Sequence, residues 1–210
     1  MKKSMCIAIA AIMLVFVATP KQVAAQKYQG QVVVGVNGAF SLVGLVVTST
    51  FHAANTIAGV STSVIPGISG TVDYGITDRF SLGVAQFYQG ANVKWSSYQD
   101  SLGNTVTGNF HYRFARNNTA IRALFHFGDN DDLDPYFGLR LGYSYWSSST
   151  NAPNIYGLDV TKLIKPHFWP QAIFGIRYFF TANIGVNAEL ALGFPYYLSA
   201  GVNARFGGGK

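Results

Sequence analysis

The chain has 210 residues, of which 49% are apolar, 15% aromatic and only 11% charged, less than half the charged share of an ordinary soluble domain. The formal charge is +6, but the cations are scattered singly, which excludes the clustered basic stripe of a nucleic-acid-binding protein. Glutamate occurs once, as Glu189. This composition predicts a protein whose outer surface does not face water.

Residues 1–25 predict a cleaved secretory signal peptide. Two lysines precede an apolar run from Met5 to Ala18, and Val23-Ala24-Ala25 forms a small-residue cleavage signal. The run is shorter than the roughly 20 residues that cross a bilayer as a helix, so we expect cleavage rather than a retained anchor. Cys6 is the only cysteine and lies in the removed segment, so the mature chain has no cysteine chemistry.

After the signal peptide, apolar residues recur at every second position in segments that are separated by turn-rich stretches. This alternation predicts strands with one apolar face and one small or polar face. The stretch 32–47 could also be scored as a membrane helix, but its glycines, Asn37 and β-branched residues favour a strand. The eight predicted strands are 32–40, 68–76, 80–88, 121–127, 137–145, 174–180, 184–192 and 196–206.

The connections alternate in length along the chain. Short turns are predicted at 77–78, 128–134 and 181–183, and long loops at 49–65 and 147–166. The stretch 96–118 is expected to extend a hairpin beyond the membrane, before Asn117 and Asn118 break its alternation. An even number of strands with short turns on one side and long loops on the other is typical of outer-membrane barrels. We therefore predict an all-β fold, an eight-stranded antiparallel up-and-down transmembrane β-barrel formed by residues 26–210.

Aromatic residues gather near both ends of the predicted strands, as expected for side chains at two bilayer interfaces. Near the short turns, the predicted girdle consists of Tyr74, Phe80, Tyr178, Phe180 and Phe206, with Phe127 and Phe137. Near the long loops, it consists of Tyr143, Tyr145, Trp146 and Trp169, with Tyr88, Trp95, Tyr196 and Tyr197.

The strand parity also predicts which charged side chains point inward. If the apolar face of 184–192 meets lipid, Glu189 points into the lumen, which side chains fill in an eight-stranded barrel. Pairing across the turns places Arg122 opposite Arg140, and Arg177 on the diagonal to Glu189. We predict a luminal charge network that plugs the barrel; the alternative is that these charges line a water-filled space. The predicted members are Asp73, Arg122, His126, Arg140, Arg177, Glu189 and Arg205.

Catalytic and metal-binding patterns are weak. The candidate bases His52, His111, His126 and His167 have no evident serine nucleophile and no paired carboxylate at their strand level. The aspartates of GDNDDLD, residues 128–134, lack the glycine and the closing glutamate of a calcium loop, which favours a solvated turn. We predict no enzymatic activity, no metal and no cofactor.

Four stretches carry a family resemblance: DYGITDRFSLGVA (73–85), DPYFGLRLGYSYW (134–146), RYFFTANIGVNAELALG (177–193) and LSAGVNARF (198–206). They resemble the small eight-stranded outer-membrane barrels, the group that contains OmpX, OmpW and the OmpA membrane domain. The resemblance is strongest to the porin-like barrel family of the Bacteroidetes. It implies an outer-membrane location in a Gram-negative bacterium, with the lipid bilayer and, during biogenesis, the barrel-insertion machinery as partners.

Three functions are compatible with such a barrel. The first is a structural or surface-interaction component that acts through its long extracellular loops. The second is a narrow gated pore for small solutes or ions, and the third is a lipid-modifying enzyme. A soluble lipocalin-like barrel would line its interior with apolar residues, whereas here the small and charged face is predicted to lie inside. The sequence names no extracellular ligand.

Overall fold

The computed structural model describes residues 29–42, 57–100, 102–127, 132–151 and 165–207. The predicted signal peptide lies outside these residues, as do His52, residues 49–56 and 152–164 of the two long loops, and Asp129 and Asp131 of GDNDDLD. Every regular element in the described part is a β-strand. Within these ranges, the chain has no helix long and apolar enough to cross a membrane.

The barrel is built from strands that we number in chain order. The strands are β1 (Val32–Phe40), β2 (Ile57–Ala58), β3 (Ser61–Thr77), β4 (Phe80–Gln99), β5 (Thr105–His126), β6 (Leu133–Thr150), β7 (His167–Phe179), β8 (Ile184–Leu192) and β9 (Leu198–Phe206). The strand β2 contains only two residues and pairs with β4 beyond the first residue of β3, so the barrel itself has eight strands.

Each barrel strand pairs antiparallel with its neighbours in the chain, and β1 pairs with β9 to close the ring. Closure satisfies the backbone hydrogen bonds of every strand, which hydrocarbon would otherwise leave unpaired. The predicted eight-stranded antiparallel up-and-down barrel is therefore confirmed. The predicted register is confirmed as well, because Arg122 is opposite Arg140 and Arg177 is opposite Asn187.

The two faces of the strands differ as the sequence alternation predicts. On β6, Leu139 is 67% exposed, whereas its neighbour Arg140 is 3% exposed. The outward positions of the other strands are also mostly aliphatic or aromatic, including Ile121, Leu192 and Val202. The outer face is therefore apolar and the charged face lies inside, the reverse of a water-soluble barrel.

Inward-facing glycines make room for the large charged and aromatic side chains of the lumen. A Cβ atom at Gly175 would overlap the ring of Tyr136, and one at Gly83 would overlap the carboxylate of Asp73. These glycines pair directly with the strands that carry the large residues. The alternation of very small and very large side chains lets a narrow lumen be filled without voids.

The β4–β5 hairpin extends well beyond the other strands. Its strands have 20 and 22 residues, whereas about 9 to 11 residues cross a bilayer as a tilted strand. The predicted extension of this hairpin is confirmed, and the Asp100 amide donates to the Asn104 carbonyl at 2.9 Å where the two strands meet. The predicted break at Asn117 and Asn118 is wrong: both residues continue β5, and the Asn118 side chain points inward and donates to Ser144 Oγ at 2.8 Å.

Most residues of the predicted aromatic girdle lie on the outer face, in two groups. The short-turn group is outward on the parity of its strands, with Tyr74, Tyr178 and Phe180 about half exposed. At the long-loop end, Tyr143 and Tyr145 are also outward and exposed. The outer face therefore carries an aromatic group near each end of its aliphatic belt.

Four residues of the long-loop group depart from the prediction. Trp146 shares the inward parity of Arg140, and Trp95 packs against Phe110 in a buried cluster. Tyr196 is fully buried in the interior. It precedes β9, which begins at Leu198, so the alternation of that strand does not predict its direction. Trp169 falls on the inward parity of β7 but is 41% exposed at the rim, where it stacks on Phe194.

Candidate functional site

The single glutamate is the centre of a hydrogen-bonded cluster inside the barrel. Arg122 Nη2 and the Tyr136 hydroxyl donate to Glu189 Oε2, both at 3.0 Å. Arg140 Nη2 donates to Oε1 at 2.8 Å, and the Tyr196 hydroxyl donates to the same oxygen at 2.7 Å. Glu189 is 3% exposed. Each carboxylate oxygen therefore accepts one bond from a guanidinium and one from a phenol, which compensates for the burial of its charge.

Asp73 joins the same cluster from the opposite side of the lumen. Arg177 Nη2 donates to Asp73 Oδ2 at 2.5 Å, and Arg122 Nε lies 3.0 Å from Oδ1 in an ion-pair contact that lacks hydrogen-bond alignment. Asp73 lies on β3 and Arg177 on β7, which are diametrically opposite in the ring. This ion pair therefore crosses the full width of the lumen.

Asp134 is a member of the network that sequence reasoning missed. The sequence predicts that it lies in a solvated turn, but it lies in β6 and is 2% exposed. Arg177 Nη1 donates to Asp134 Oδ2 at 3.4 Å, and His126 Nδ1 lies 2.8 Å from Oδ1. The available signal was its parity, because Asp134 lies six positions before Arg140 and therefore faces the same side of the strand.

The upper part of the network, toward the long loops, ends in neutral groups. Arg140 Nη1 donates to Gln171 Oε1 at 3.1 Å and to the hydroxyl of Tyr196. Gln171 Nε2 in turn donates to the backbone carbonyl of Tyr196 at 2.8 Å. Tyr196 therefore holds both Glu189 and Arg140, and it connects the network to the β8–β9 connection.

Arg205 lies near the short-turn end of the lumen. Its Nε donates to the Ala182 carbonyl at 2.5 Å, and its guanidinium lies 3.9 Å from the centre of the Phe179 ring. The predicted site residues thus divide into two groups. Asp73, Arg122, His126, Arg140, Arg177 and Glu189 are linked through one another or through Asp134, whereas these contacts of Arg205 are with the last residue of β7 and with the β7–β8 turn.

The fold is similar to those of solved bacterial outer-membrane barrels. OprG from Pseudomonas aeruginosa aligns with a TM-score of 0.50 and 10% identity, over 88% of this chain and 99% of that chain. The N-terminal barrel domain of P. aeruginosa OprF aligns with a TM-score of 0.46 and 18% identity, over 85% and 98%. Ail of Yersinia pestis aligns with a TM-score of 0.38 and 14% identity, over 85% and 100%. Neither a family model nor a curated protein matches the sequence.

The closed ring, the apolar outer face and the charged interior together decide the class of the protein, because only lipid can cover such an exterior. It is an outer-membrane β-barrel. In this outer-membrane barrel the charge network occupies the middle of the spanning segment, where Arg122, Arg140 and Glu189 are each 3% exposed. Little space is left around these side chains for water, so the charges neutralise one another at close range.

The short-turn end of the outer-membrane barrel contains a serine, a histidine and an aspartate in line. Ser81 Oγ lies 2.8 Å from His126 Nε2, and His126 Nδ1 lies 2.8 Å from Asp134. The expectation that no candidate histidine has a nearby serine and carboxylate is therefore wrong for His126. The strand pairing explains the miss, because Ser81, His126 and Asp134 come from three different strands.

This arrangement has the connectivity of a hydrolytic triad but not its accessibility. All three side chains are buried, with Ser81 2% exposed. A nucleophilic serine needs space for a carbonyl carbon beside its oxygen and donors for the developing oxyanion. Asp134 also binds Arg177, so its charge is shared with the central network. The contacts of His126 thus link β4, β5 and β6 at the base of the lumen.

Proposed function

We propose that the charge network closes this barrel and that the protein acts through segments outside the bilayer, as a structural or surface-interaction component. The observation that carries the proposal is the Glu189 cluster. A buried carboxylate with four donors, linked through Arg122 to an ion pair that crosses the lumen, is a strut rather than the lining of a water-filled channel. Opening a path would require these charges to separate in a poorly hydrated space, at a high cost.

The extended β4–β5 hairpin supports a role outside the membrane. Aromatic residues on its inner side pack together beyond the barrel, with Trp95 and Phe110 stacked 6.0 Å apart and Tyr98 edge-on to Phe110 at 5.2 Å. Such packing holds a long hairpin in one shape. A rigid projection is a suitable platform for contact with another surface, because little conformational entropy is lost when it binds.

Three further parts of the proposal rest on the sequence. Residues 1–25 direct secretion and are removed, the mature chain is inserted by the barrel-insertion machinery, and the chain is related to the porin-like barrels of the Bacteroidetes. Mass spectrometry of the protein extracted from outer membranes tests the first: the mature N-terminus should be Gln26. A retained Met1 would contradict it.

Conductance tests whether the lumen is closed. The refolded mature protein is inserted into a planar bilayer beside Glu189→Gln, with Asp100→Asn as a matched loss of one carboxylate outside the network. We expect no discrete openings from the parent protein. Stable openings in the parent would overturn the closed-barrel proposal.

The conductance of the variant addresses a second candidate, the gated pore. The described interior has five buried arginines and three buried carboxylates, so a path through it would favour anions. Openings in Glu189→Gln together with rare openings in the parent would support a gate formed by the network. Silence in both proteins would support a closed scaffold.

We also propose that the Ser81–His126–Asp134 line is structural and that the protein is not an enzyme. A fluorophosphonate probe, which reacts with activated serines, is applied to the folded protein with Ser81→Ala as the control. We expect equal background labelling of both proteins, because the Ser81 hydroxyl is buried. Labelling that is stoichiometric and depends on Ser81 would overturn this part of the proposal.

A further inference from the structure

The outer face of the extended β4–β5 hairpin carries two rows of hydrogen-bond donors above the aromatic girdle. Val93 and Trp95 are buried on the inner side, so Lys94 between them points outward, where it is exposed. Arg113 is exposed on the same face of β5. We call the two rows, which the strand register aligns across β3 to β6, the donor patch. The lower row is Ser63, Asn92, Arg113 and Ser149, and the upper row is Ser61, Lys94 and His111.

The donor patch contains two cations and no carboxylate. Lys94 and Arg113 are diagonal neighbours across the β4–β5 pair, close enough for both long side chains to reach one anion. Among the described residues, neither of them has an ion-pair partner. Beyond the girdle on the long-loop side, the only acidic side chain in the described ranges is Asp100, which binds the amides of its own turn. The positive charge of the patch is therefore not compensated by this part of the protein.

The girdle sets the height of the donor patch relative to the bilayer. Tyr88 and Tyr145 are outward and partly exposed, and a Cβ atom at Gly90 would lie 3.2 Å from the Tyr88 hydroxyl oxygen. That hydroxyl therefore points toward the patch, as expected for a tyrosine at the bilayer interface. Asn92 lies four residues above Tyr88, which is about 13 Å along the strand and about 10 Å along the bilayer normal at a tilt of about 40°. Long cationic side chains at this height can reach down to the lipid headgroups.

The opposite end of the barrel has a different distribution of charge. Near the short turns, the exposed charged residues Asp78, Arg79 and Asp132 include both signs. In outer-membrane barrels the long loops lie on the extracellular side, so the donor patch is at the level of the outer leaflet. The part of the outer face that carries cations without carboxylates is thus the part beside the outer-leaflet headgroups.

We propose that the donor patch binds the phosphomonoester of a lipid headgroup in the outer leaflet. A phosphomonoester carries a charge of about −1.5 to −2 at neutral pH, which Lys94 and Arg113 together neutralise. The guanidinium can donate two parallel bonds to phosphate oxygens, and the ammonium acts as a point charge. A lipid suits the patch better than a dissolved anion, because its acyl chains would lie against the apolar outer face directly below. The inference goes beyond the proposed function and is independent of whether the lumen conducts.

A lipid titration followed by NMR tests the proposal. The mature protein is reconstituted in nanodiscs of phosphatidylcholine, and phosphatidic acid, whose headgroup is a phosphomonoester, replaces an increasing share of the lipid. We expect saturable shifts of the amide signals of Asn92, Lys94 and Arg113, and much smaller shifts with phosphatidylglycerol, a singly charged phosphodiester. The proposal is wrong if phosphatidic acid gives no saturable shift, or if the two lipids give equal shifts.

Dissolved phosphate distinguishes a lipid from a soluble anion. Inorganic phosphate is added to the protein in nanodiscs of phosphatidylcholine alone, and the same three amides are followed. We expect no saturable shift, because the dissolved ion gains no contact with the apolar face below the patch. A saturable shift at these amides would assign the patch to a soluble anion and overturn the lipid proposal.

Variants test whether the two cations hold the headgroup, with the Asn92 amide as the reporter. Arg113→Gln and Lys94→Gln should each raise the phosphatidic acid fraction at half-saturation by about threefold to fivefold, near the upper end for one exposed ion pair. The double variant should lose the saturable shift. The matched control is Arg79→Gln, which removes an exposed arginine at the short-turn end and should leave the titration unchanged. A double variant that titrates like the parent would overturn the assignment.

Discussion

Buried arginines in the middle of the lumen are paired with carboxylates, whereas the buried arginine in the upper part is not. In the middle, Arg122, Arg140 and Arg177 are paired with carboxylates supplied by other strands. In the upper part, Arg116 has only neutral acceptors and aromatic rings. The same residue type therefore forms ion pairs at one level and is a buried cation without an ionic partner among the described residues at the other. The presence of a carboxylate within reach makes the difference.

The largest expected effect comes from breaking the middle of the lumen. Glu189→Gln leaves Arg122 and Arg140 buried beside a neutral side chain. We expect a loss of about 3 to 5 kcal/mol in the free energy of unfolding, the usual cost of stranding a buried charge. Urea titration of the protein refolded in lipid vesicles measures it. Midpoints that match those of the exposed-site control Asp100→Asn would contradict the strut interpretation.

A smaller effect is expected when one neutral donor to Glu189 is removed. Tyr136→Phe keeps the ring that fills the lumen beside Gly175 but removes the hydrogen bond to Glu189 Oε2. A hydrogen bond to a charged group contributes about 1.5 to 3 kcal/mol, so the same urea titration should give a loss in that range. Tyr143→Phe, on the outer face, is the matched control. A loss as large as that of Glu189→Gln would mean that ring packing, rather than the bond, is affected.

The upper lumen should tolerate the loss of its charge. Arg116→Gln gives up bonds to neutral acceptors but also removes an uncompensated buried cation, so we expect a change of about 1 kcal/mol or less. The two contributions oppose each other, so the net change is small. The urea midpoints of Arg116→Gln and Glu189→Gln are measured in the same lipid. We expect the midpoint of Glu189→Gln to fall much further than that of Arg116→Gln. A loss above that of Glu189→Gln would show that Arg116 is itself a strut.

The smallest effect is expected at the tip of the β4–β5 hairpin. Asp100 accepts from the backbone amides of Asn104 at 2.8 Å and Leu102 at 2.9 Å. The bond from Asn104 is the main reason that the pKa of this exposed carboxyl is lowered from its ordinary value. A lowered folded-state pKa stabilises the turn above the ordinary Asp pKa, and this contribution is lost as the pH falls through the folded value.

NMR titration of the Asp100 carboxyl measures this effect. Asp100→Asn should abolish the titration and leave the urea midpoint of the barrel unchanged. A pKa at or above the ordinary value would contradict the predicted turn.

The sequence was informative about the barrel because a strand that separates lipid from a packed lumen must alternate strictly in polarity. Leu139 and Arg140 are adjacent, and their parity alone predicts that one faces out and the other in. The short turns also fix the register of each hairpin, which is why the opposition of Arg122 and Arg140 was predictable from the sequence.

The prediction was least accurate where alternation stops or where chemistry depends on non-neighbouring strands. Tyr196 precedes β9, so its inward direction follows from the course of the β8–β9 connection rather than from a period of two. Arg116 has the inward parity of Arg122, but the expected break at Asn117 and Asn118 concealed it. Asp134 was not predicted as a member of the network, because the neighbouring aspartates indicated a solvated turn.

The sequence by itself determined the eight barrel strands, their faces, the closed barrel and most of the charges that point inward, because these depend on local alternation and on the hairpin register. Only the tertiary structure decided the pairing of those charges. Asp73 meets Arg177 across the whole lumen, and Glu189 meets Arg122 from a strand that is not its neighbour. Such contacts depend on the curvature and closure of the ring. The same geometry leaves Arg116 without a carboxylate.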